Sequence, residues 1–369
     1  MTSQTYGALS SQEIEDLMDQ GAIIGAKKEN ISPASLDLTI SGEGYRVEGI
    51  FLPNMGEAVR DILKLIEVFP HDFGNPLEKD VTYLFLLNEK LSLPKDIYGY
   101  CNPKSTTGRN DVHVRVLADG VSRYDAVTPK GFHGEMWVAV TPKSFPIKLA
   151  EGIPLSQLRL FNKDTRLTEE ECKDAFETHG LLWSPDGEKY SYEEIKIRDN
   201  DGSIILTLDL SQDIVGYECR GPKKVLDFSK GAHSHDPTDF FERIHTDKKR
   251  IHLKKGSFYV LSSREFVRVP SDLACEMAPM DERSGEFRSH YAGFIDPGWG
   301  WGKTGEGKGR PLTLEVRPFD DIVMRHGQPI GKIKFERTTQ IPKILYDLKT
   351  SNYLVQTGPK LSKHFSEFI

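Results

Sequence analysis

Short apolar runs broken by Gly, Pro and Asp dominate the chain. "TYLFLL", "EMWVAV", "IILTLDL", "SFYVLS" and "GKIKFER" are rich in Val, Ile, Leu, Tyr and Phe, residues that fit a pleated, half-buried surface. Their number and spacing predict an all-β sandwich or barrel with few short helices. Three stretches carry helix signals instead. "SSQEIEDLMDQG" sets Ser10 and Glu13 as a capping box and ends at Gly21. "NMGEAVRDILKLIEVF" and "TEEECKDAFE" are the other two.

The apolar pattern also repeats. "YLFLLNEKLSLPKDIYGYCNP" from Tyr83 aligns without gaps on "YVLSSREFVRVPSDLACEMAP" from Tyr259, an offset of 176. "IKLAEGIPLSQLRLF" from Ile147 aligns on "IVMRHGQPIGKIKFE" from Ile322, an offset of 175, with Gly152 on Gly327 and Pro154 on Pro329. A near-constant offset predicts two tandem copies of one β-fold, residues 1–165 and 166–369, joined in the polar segment from Asn162 to about Asp199. Aligning Pro142 on Pro318 sets Ala139 opposite Glu315. A carboxylate in the middle of an apolar strand thus exists in one copy only, which predicts that the copies divide the chemistry.

Composition narrows the classes. A chain of 369 residues suits two domains. Its net charge of -7 argues against a general nucleic-acid binder and leaves room for a local basic pocket. The polar start "MTSQTYGALSSQEIEDL", with no run of 18 apolar residues anywhere, predicts a soluble, cytoplasmic protein without a membrane segment. Cys101, Cys172, Cys219 and Cys275 form no C-x-x-C pair and are expected as reduced thiols.

Candidate chemistry sits in a few places. In "GFIDPGWGWGKTGEGKGRPLTLEV", Gly302, Lys303 and Thr304 fit the second half of a P-loop, but the first glycine falls on Pro297, which has no N–H to offer. "KSTTGR" gathers Lys104, Ser105, Thr106, Thr107 and Arg109, a donor set suited to an oligophosphate, although such a run is more often a polar turn. In "LTLEV", alternation sends Leu312, Leu314 and Val316 to one face and Thr313 and Glu315 to the other. A solvent-facing Glu315 is the first expectation; the sharper alternative is a desolvated carboxylate suited to proton transfer. "HGE" at 133–135 lacks the P-C-x-x-C half of a zinc deaminase site, and "HSHD" at 233–236 lies in a polar loop.

These motifs resemble the dCTP deaminases of the trimeric dUTPase-like superfamily. "LSSQEIEDLMDQGAII" with "ISPASLDLTI" is similar to the family's first helix and strand, and "KSTTGR" to its phosphate and catalytic motif. "AGFIDPGW" with "LTLEV" is similar to its Asp-Pro-Gly and glutamate strands, and "NYLVQTGPKLS" to its substrate-closing segment. The resemblance implies two tandem dUTPase-like distorted β-barrel (β-clip) domains. It implies hydrolysis of dCTP to dUTP and ammonia, in the synthesis of pyrimidine deoxynucleotides, without zinc and with Mg²⁺ carried by the triphosphate. Glu315 matches the catalytic glutamate, and Ser105 and Arg109 the groups that position the attacking water. Lys104, Thr106 and Thr107 would hold the triphosphate, Asp296 would face the deoxyribose, and Trp299, Thr313 and Leu314 the nucleoside. Tyr346, Tyr353 and Gln356 would fold over it. Implied partners are dCTP, dUTP, dTTP as a candidate inhibitor, and further copies of the chain in a trimer-like homo-oligomer.

The departures matter too. "DERSGEFR" stands at the second copy's phosphate motif and leaves Ser284 and Arg288 in doubt; Asn352 stands where the family has a lysine, with Lys349 as a substitute. A composite site is therefore expected, "KSTTGR" from one copy serving Asp296 and Glu315 of the other. The competing readings are a dUTP pyrophosphatase, alone or coupled to deamination, and a nucleotide-binding regulator without catalysis.

Overall fold

The computed structural model describes residues 5–221, 223–280, 283, 285–289, 293–348, 353 and 356–368. Ser284, Lys349 and Asn352 lie outside the described residues. The fold is mainly β and gathers into two compact units, one of residues 9–163, 221–240 and 362–368, the other of residues 5–8, 164–220 and 241–361. Both are discontinuous, unlike the contiguous blocks 1–165 and 166–369, and the exchanges have local causes. The Leu226–Asp227 strand pairs in parallel with Ile147–Lys148, and His235 bridges Phe365, which keeps 221–240 and 362–368 with the first unit. Ala8 bridges Thr338 and donates its N–H to the Arg337 carbonyl at 2.9 Å, which keeps residues 5–8 with the second.

In the first unit one sheet runs through β1 (Ser35–Val47), β2 (Tyr83–Leu87), β3 (Tyr98–Pro103), β4 (Val112–Ala118), β5 (Ala126–Val127), β6 (Met136–Pro142) and β7 (Pro154–Phe161), in the order β4-β6-β2-β1-β7-β3-β5. The long β1 serves both halves by shifting register between Ile40 and Gly44. Gly44 is required there, because a Cβ would stand 2.3 Å from the Phe85 ring. The second unit has β8 (Ile204–Thr207), β9 (Tyr259–Val267), β10 (Leu273–Ala278), β11 (Phe294–Ile295), β12 (Arg310–Pro318) and β13 (Pro329–Arg337). Here β8 is too short to span, so β8-β13-β10-β11 form one sheet while β9 and β12 pair in another.

The repeat holds pair by pair. Leu84 opposes Ala139 as Val260 opposes Glu315. Cys101 opposes Leu158 as Met277 opposes Ile333, and Leu91 opposes Gly134 as Val267 opposes Arg310. Buried polar groups repeat with the strands. Glu89 accepts the Thr39 N–H at 2.9 Å and its hydroxyl at 2.7 Å; Glu265 accepts the same groups of Thr207 at 2.7 and 2.6 Å.

Four helices are described. The first, α1 (Ser11–Asp19), carries the predicted Ser10–Glu13 capping box. Only one turn, α2 (Val59–Ile62), forms from the second predicted stretch, because Gly56 takes a φ of 79° and Val68–Pro70 pairs with β1. A further turn, α3 (Ser105–Gly108), replaces the polar turn expected at "KSTTGR". The last, α4 (Glu169–His179), is capped by Thr168 with Glu171 and stopped by a left-handed Gly180. All four cysteines are free thiols.

Candidate active site

The donor-rich motif is built where β3 runs into α3. The Lys104 N–H and the Thr107 hydroxyl both donate to the Leu155 carbonyl on β7, each at 3.0 Å. Thr107 therefore points inward and is 1 % exposed, whereas Lys104, Ser105 and Thr106 are half-buried. The Lys104 ammonium pairs with Asp37 on β1, and Gln157 donates to the other Asp37 oxygen at 3.1 Å. Arg109 is buried, and its N–H closes on the Ser105 carbonyl at 3.0 Å.

The candidate carboxylate stands on β12. Glu315 is 2 % exposed, which overturns the solvent-facing expectation. The strand's second face is covered by residues far along the chain. The Lys360 N–H donates to the Thr313 hydroxyl at 3.3 Å, and the Gln356 side chain donates to the Pro311 carbonyl at 2.8 Å. Leu314, Tyr353 and Gln356 are all buried. The predicted closing segment thus lies along the glutamate strand.

The Asp-Pro-Gly-Trp turn follows β11. Asp296 is buried and its carbonyl accepts the Trp299 N–H at 3.2 Å. Gly298 takes a φ of 92°, and a Cβ there would meet Leu345 Cβ at 2.6 Å, so only glycine lets Tyr346 approach. The Tyr346 N–H donates to the Pro297 carbonyl at 2.9 Å, and the Trp299 and Tyr346 rings lie 5.0 Å apart.

Two residues absent from the sequence reading tie this corner together. Arg310 lies over Trp299 at 5.5 Å and pairs with the buried Asp347 at 2.6 Å. The second Asp347 oxygen accepts the Gly302 N–H at 2.8 Å. The copy asymmetry that singled out Glu315 also marks Arg310, whose counterpart is Gly134. Asp37 was missed as well, although it stands inside the quoted "SLDLTI".

The glycine-rich stretch after Trp299 is a hairpin, not a P-loop. The N–H groups of Lys303 and Thr304 donate to the Glu306 carboxylate at 2.9 and 2.8 Å, and the Thr304 hydroxyl does so at 3.1 Å. These bonds bring Glu306 down to about 2, so the chain's own carboxylate takes the donors a phosphate would need. Arg268 braces the hairpin, stacked 4.1 Å from the Trp301 ring. Arg288 is exposed on the short Phe287–Ser289 strand. An open cleft of about 410 Å³ is lined by α4 residues and Arg337 but by none of the expected site residues.

In "HSHD", the His233 and His235 rings are held by the Phe365 and Asp227 carbonyls at 2.9 and 3.1 Å. Among the described residues no group of three or more His, Cys, Asp or Glu is placed to hold a metal ion.

Comparison with known proteins gives the family. The N-terminal domain model of 2'-deoxycytidine 5'-triphosphate deaminase matches residues 5–164, and the C-terminal domain model of the same family matches residues 186–365. No curated protein sequence matches the chain. The crystal structure of 2'-deoxycytidine 5'-triphosphate deaminase from Agrobacterium tumefaciens superposes with a TM-score of 0.82 at 33% identity, covering 92% of this chain and 100% of that one. The chain belongs to the dCTP deaminase family, enzymes that hydrolyse a C–N bond.

Proposed function

We propose that this chain deaminates dCTP to dUTP and ammonia, with Glu315 as general base and then general acid. The observation that supports this most is Glu315 itself, 2 % exposed in the middle of β12, with the 356–360 segment hydrogen-bonded to Pro311 and Thr313 of the same strand. A carboxylate withheld from bulk water is suited to moving protons near neutral pH. In this reading a water attacks C4 of the cytosine and gives a proton to Glu315. That proton passes to N3, the second goes to the amine, and the C4–N bond breaks to release ammonia. Ser105 and Arg109 position the water; Lys104 and Thr106 meet the triphosphate, and Thr107 holds their backbone in place. Asp296 meets the sugar, with Trp299, Thr313 and Leu314 at the base and Tyr346, Tyr353 and Gln356 over it. Magnesium enters with the substrate as Mg–dCTP, and the nucleophile needs no zinc. The donor set of one copy and the carboxylate set of the other serve one reaction.

Glu315→Gln tests this reading. Turnover of Mg–dCTP should fall by about 10³, within the span general acid–base catalysis supplies, while nucleotide binding is kept. The parent, treated with chelator before Mg²⁺ is added, should give a dUTP peak and ammonia on a chromatogram. A dUMP peak would mean coupled hydrolysis of dUTP. Unchanged dCTP in the parent, or full turnover in the variant, would sink the assignment.

A further inference from the structure

The residue after the donor motif opens a network that neither the motif nor the mechanism uses. Asn110 is 1 % exposed. Its amide nitrogen donates to the Thr106 carbonyl at 2.8 Å, and it stands 3.1 Å from both Ser362 Oγ and His364 Nδ1. Ser362 Oγ and His364 Nδ1 are themselves 3.1 Å apart. An amide nitrogen has two protons and no lone pair to offer. With one proton on Thr106, the other reaches the Ser362–His364 pair. A neutral ring with Nδ1 bare can accept from both the Asn110 amide and the Ser362 hydroxyl. Its surroundings agree: the ring is 3 % exposed, lies 4.4 Å from Phe228, and is held neutral by that burial, its pKa brought down to about 4.

The segment carrying His364 is fixed in turn by the "HSHD" loop, which no chemistry absorbed. The N–H groups of His233 and His235 donate to the Lys363 and His364 carbonyls at 2.8 and 3.0 Å, and the Ser366 N–H donates back to His235 at 2.9 Å. Two further pieces of chain, 362–366 and the His233–His235 loop, therefore stand behind the Asn110 amide that holds one carbonyl of α3. That carbonyl belongs to Thr106, between Ser105 and Thr107. A four-residue helix has little stability of its own, so the placing of these hydroxyls depends on what grips it from outside.

We infer that Asn110 and His364 are positioning residues that hold the Ser105–Thr106 turn in register for the substrate's phosphates. The inference rests on the proposed role of that turn and adds what holds it. His364→Leu removes the ring nitrogen that both the Asn110 amide and the Ser362 hydroxyl reach, and leaves the amide with Ser362 alone on that side. It should weaken binding of dCTP and of inorganic tripolyphosphate about tenfold, the order set by one such lost hydrogen bond. The loss should appear in KM, with kcat within about twofold. His364→Gln restores an acceptor oxygen and should bring both affinities back to within about threefold of the parent. Titration calorimetry reads tripolyphosphate binding without any turnover, and a thermal melt confirms that each variant is folded. His364→Leu binding both ligands as the parent does, or His364→Gln failing to rescue a folded protein, would overturn the inference and leave the deaminase reading standing. A parent that binds both ligands without turning over dCTP would overturn the deaminase reading; the positioning role then stands or falls on the variants' affinities alone. A parent that binds neither would overturn both.

Discussion

The strands β6 and β12 occupy the same place in the two copies and hold opposite things. Their partner registers coincide residue for residue, yet Gly134, Trp137 and Ala139 in one become Arg310, Thr313 and Glu315 in the other. In the first copy, Ala139 and Trp137 lie in an apolar cluster with Val47, Val59, Leu84 and Leu117. Above them, the Arg60 guanidinium of α2 sits 5.1 Å from the Trp137 ring, tied to Glu43 at 2.9 Å and Glu135 at 2.7 Å. In the second copy, the same positions hold a hydroxyl, a buried carboxylate and a guanidinium. The two copies share backbone, register and even the Thr–Glu pair, while the side chains at these strand positions differ. One set lies in an apolar cluster and the other is polar.

Ala139→Glu is the strongest way to break that comparison. Placed in the Glu315→Gln background it rebuilds a glutamate in the first copy, at the equivalent register. The cluster itself is apolar, and the neighbouring Arg60 and Arg115 guanidinium groups are already held by Glu43, Glu135 and Asp125, so it should restore no dCTP turnover and should cost about 4 kcal/mol in a denaturant melt, as a poorly paired buried charge does. Recovered turnover would mean that the first copy still holds a usable pocket, and the contrast between the strands would fail.

Asp347→Ala tests the second copy's side of the contrast. It leaves Arg310 without its carboxylate and frees the Gly302 N–H. The side chains are 17% and 4% exposed, so the loss should be about 3 kcal/mol, the low end for a broken buried pair. Because Arg310 also lies over Trp299, KM for dCTP should rise with it. The matching change in the first copy does not exist, since Gly134 has no side chain to pair. An unchanged melt and KM would make this corner incidental.

The repeat was legible because strand pairing preserves spacing, and one offset sufficed to set Ala139 against Glu315. The ends of α1 and α4 were legible because their caps are local. What escaped depends on distant residues. Glu315 lies on a strand to which residues some forty positions later are hydrogen-bonded, which alternation within "LTLEV" cannot register. The turn α3 is made of Ser, Thr and Gly, poor helix formers, and is held through Leu155 and Asn110. Asp37 and Asp347 find their partners across the fold, so each read in sequence as one more acid among 55 Asp and Glu.

The smallest expected effect probes what the copies share. Burial pushes Glu89 up to about 7, against the pull of the Thr39 bonds, and burial raises Glu265 in the same way. A carboxyl whose folded pKa is raised takes up a proton on folding. Its contribution is full below the ordinary value of 4.5 and is lost as the pH climbs towards 7. His364 works in the opposite sense. Its pKa is depressed from 6.5 to about 4, by burial first and then by Lys363 and His235, with Asp227 opposing. Stability from that ring is full above 6.5 and falls as the pH drops towards 4. Between 4.5 and 6.5 the two slopes in the first unit therefore oppose each other. Glu89→Gln imitates the protonated acid, since its amide can donate to the Thr39 hydroxyl while its oxygen accepts the N–H. It should remove about 2 kcal/mol of falling slope and leave stability rising with pH across that window. Glu265→Gln should likewise remove a falling slope from the second unit, where burial depresses His326 as it does His364 in the first. Denaturant melts of both variants from pH 4.5 to 7 read this directly. An unchanged Glu89→Gln slope would mean that the shared carboxyl is ionised throughout.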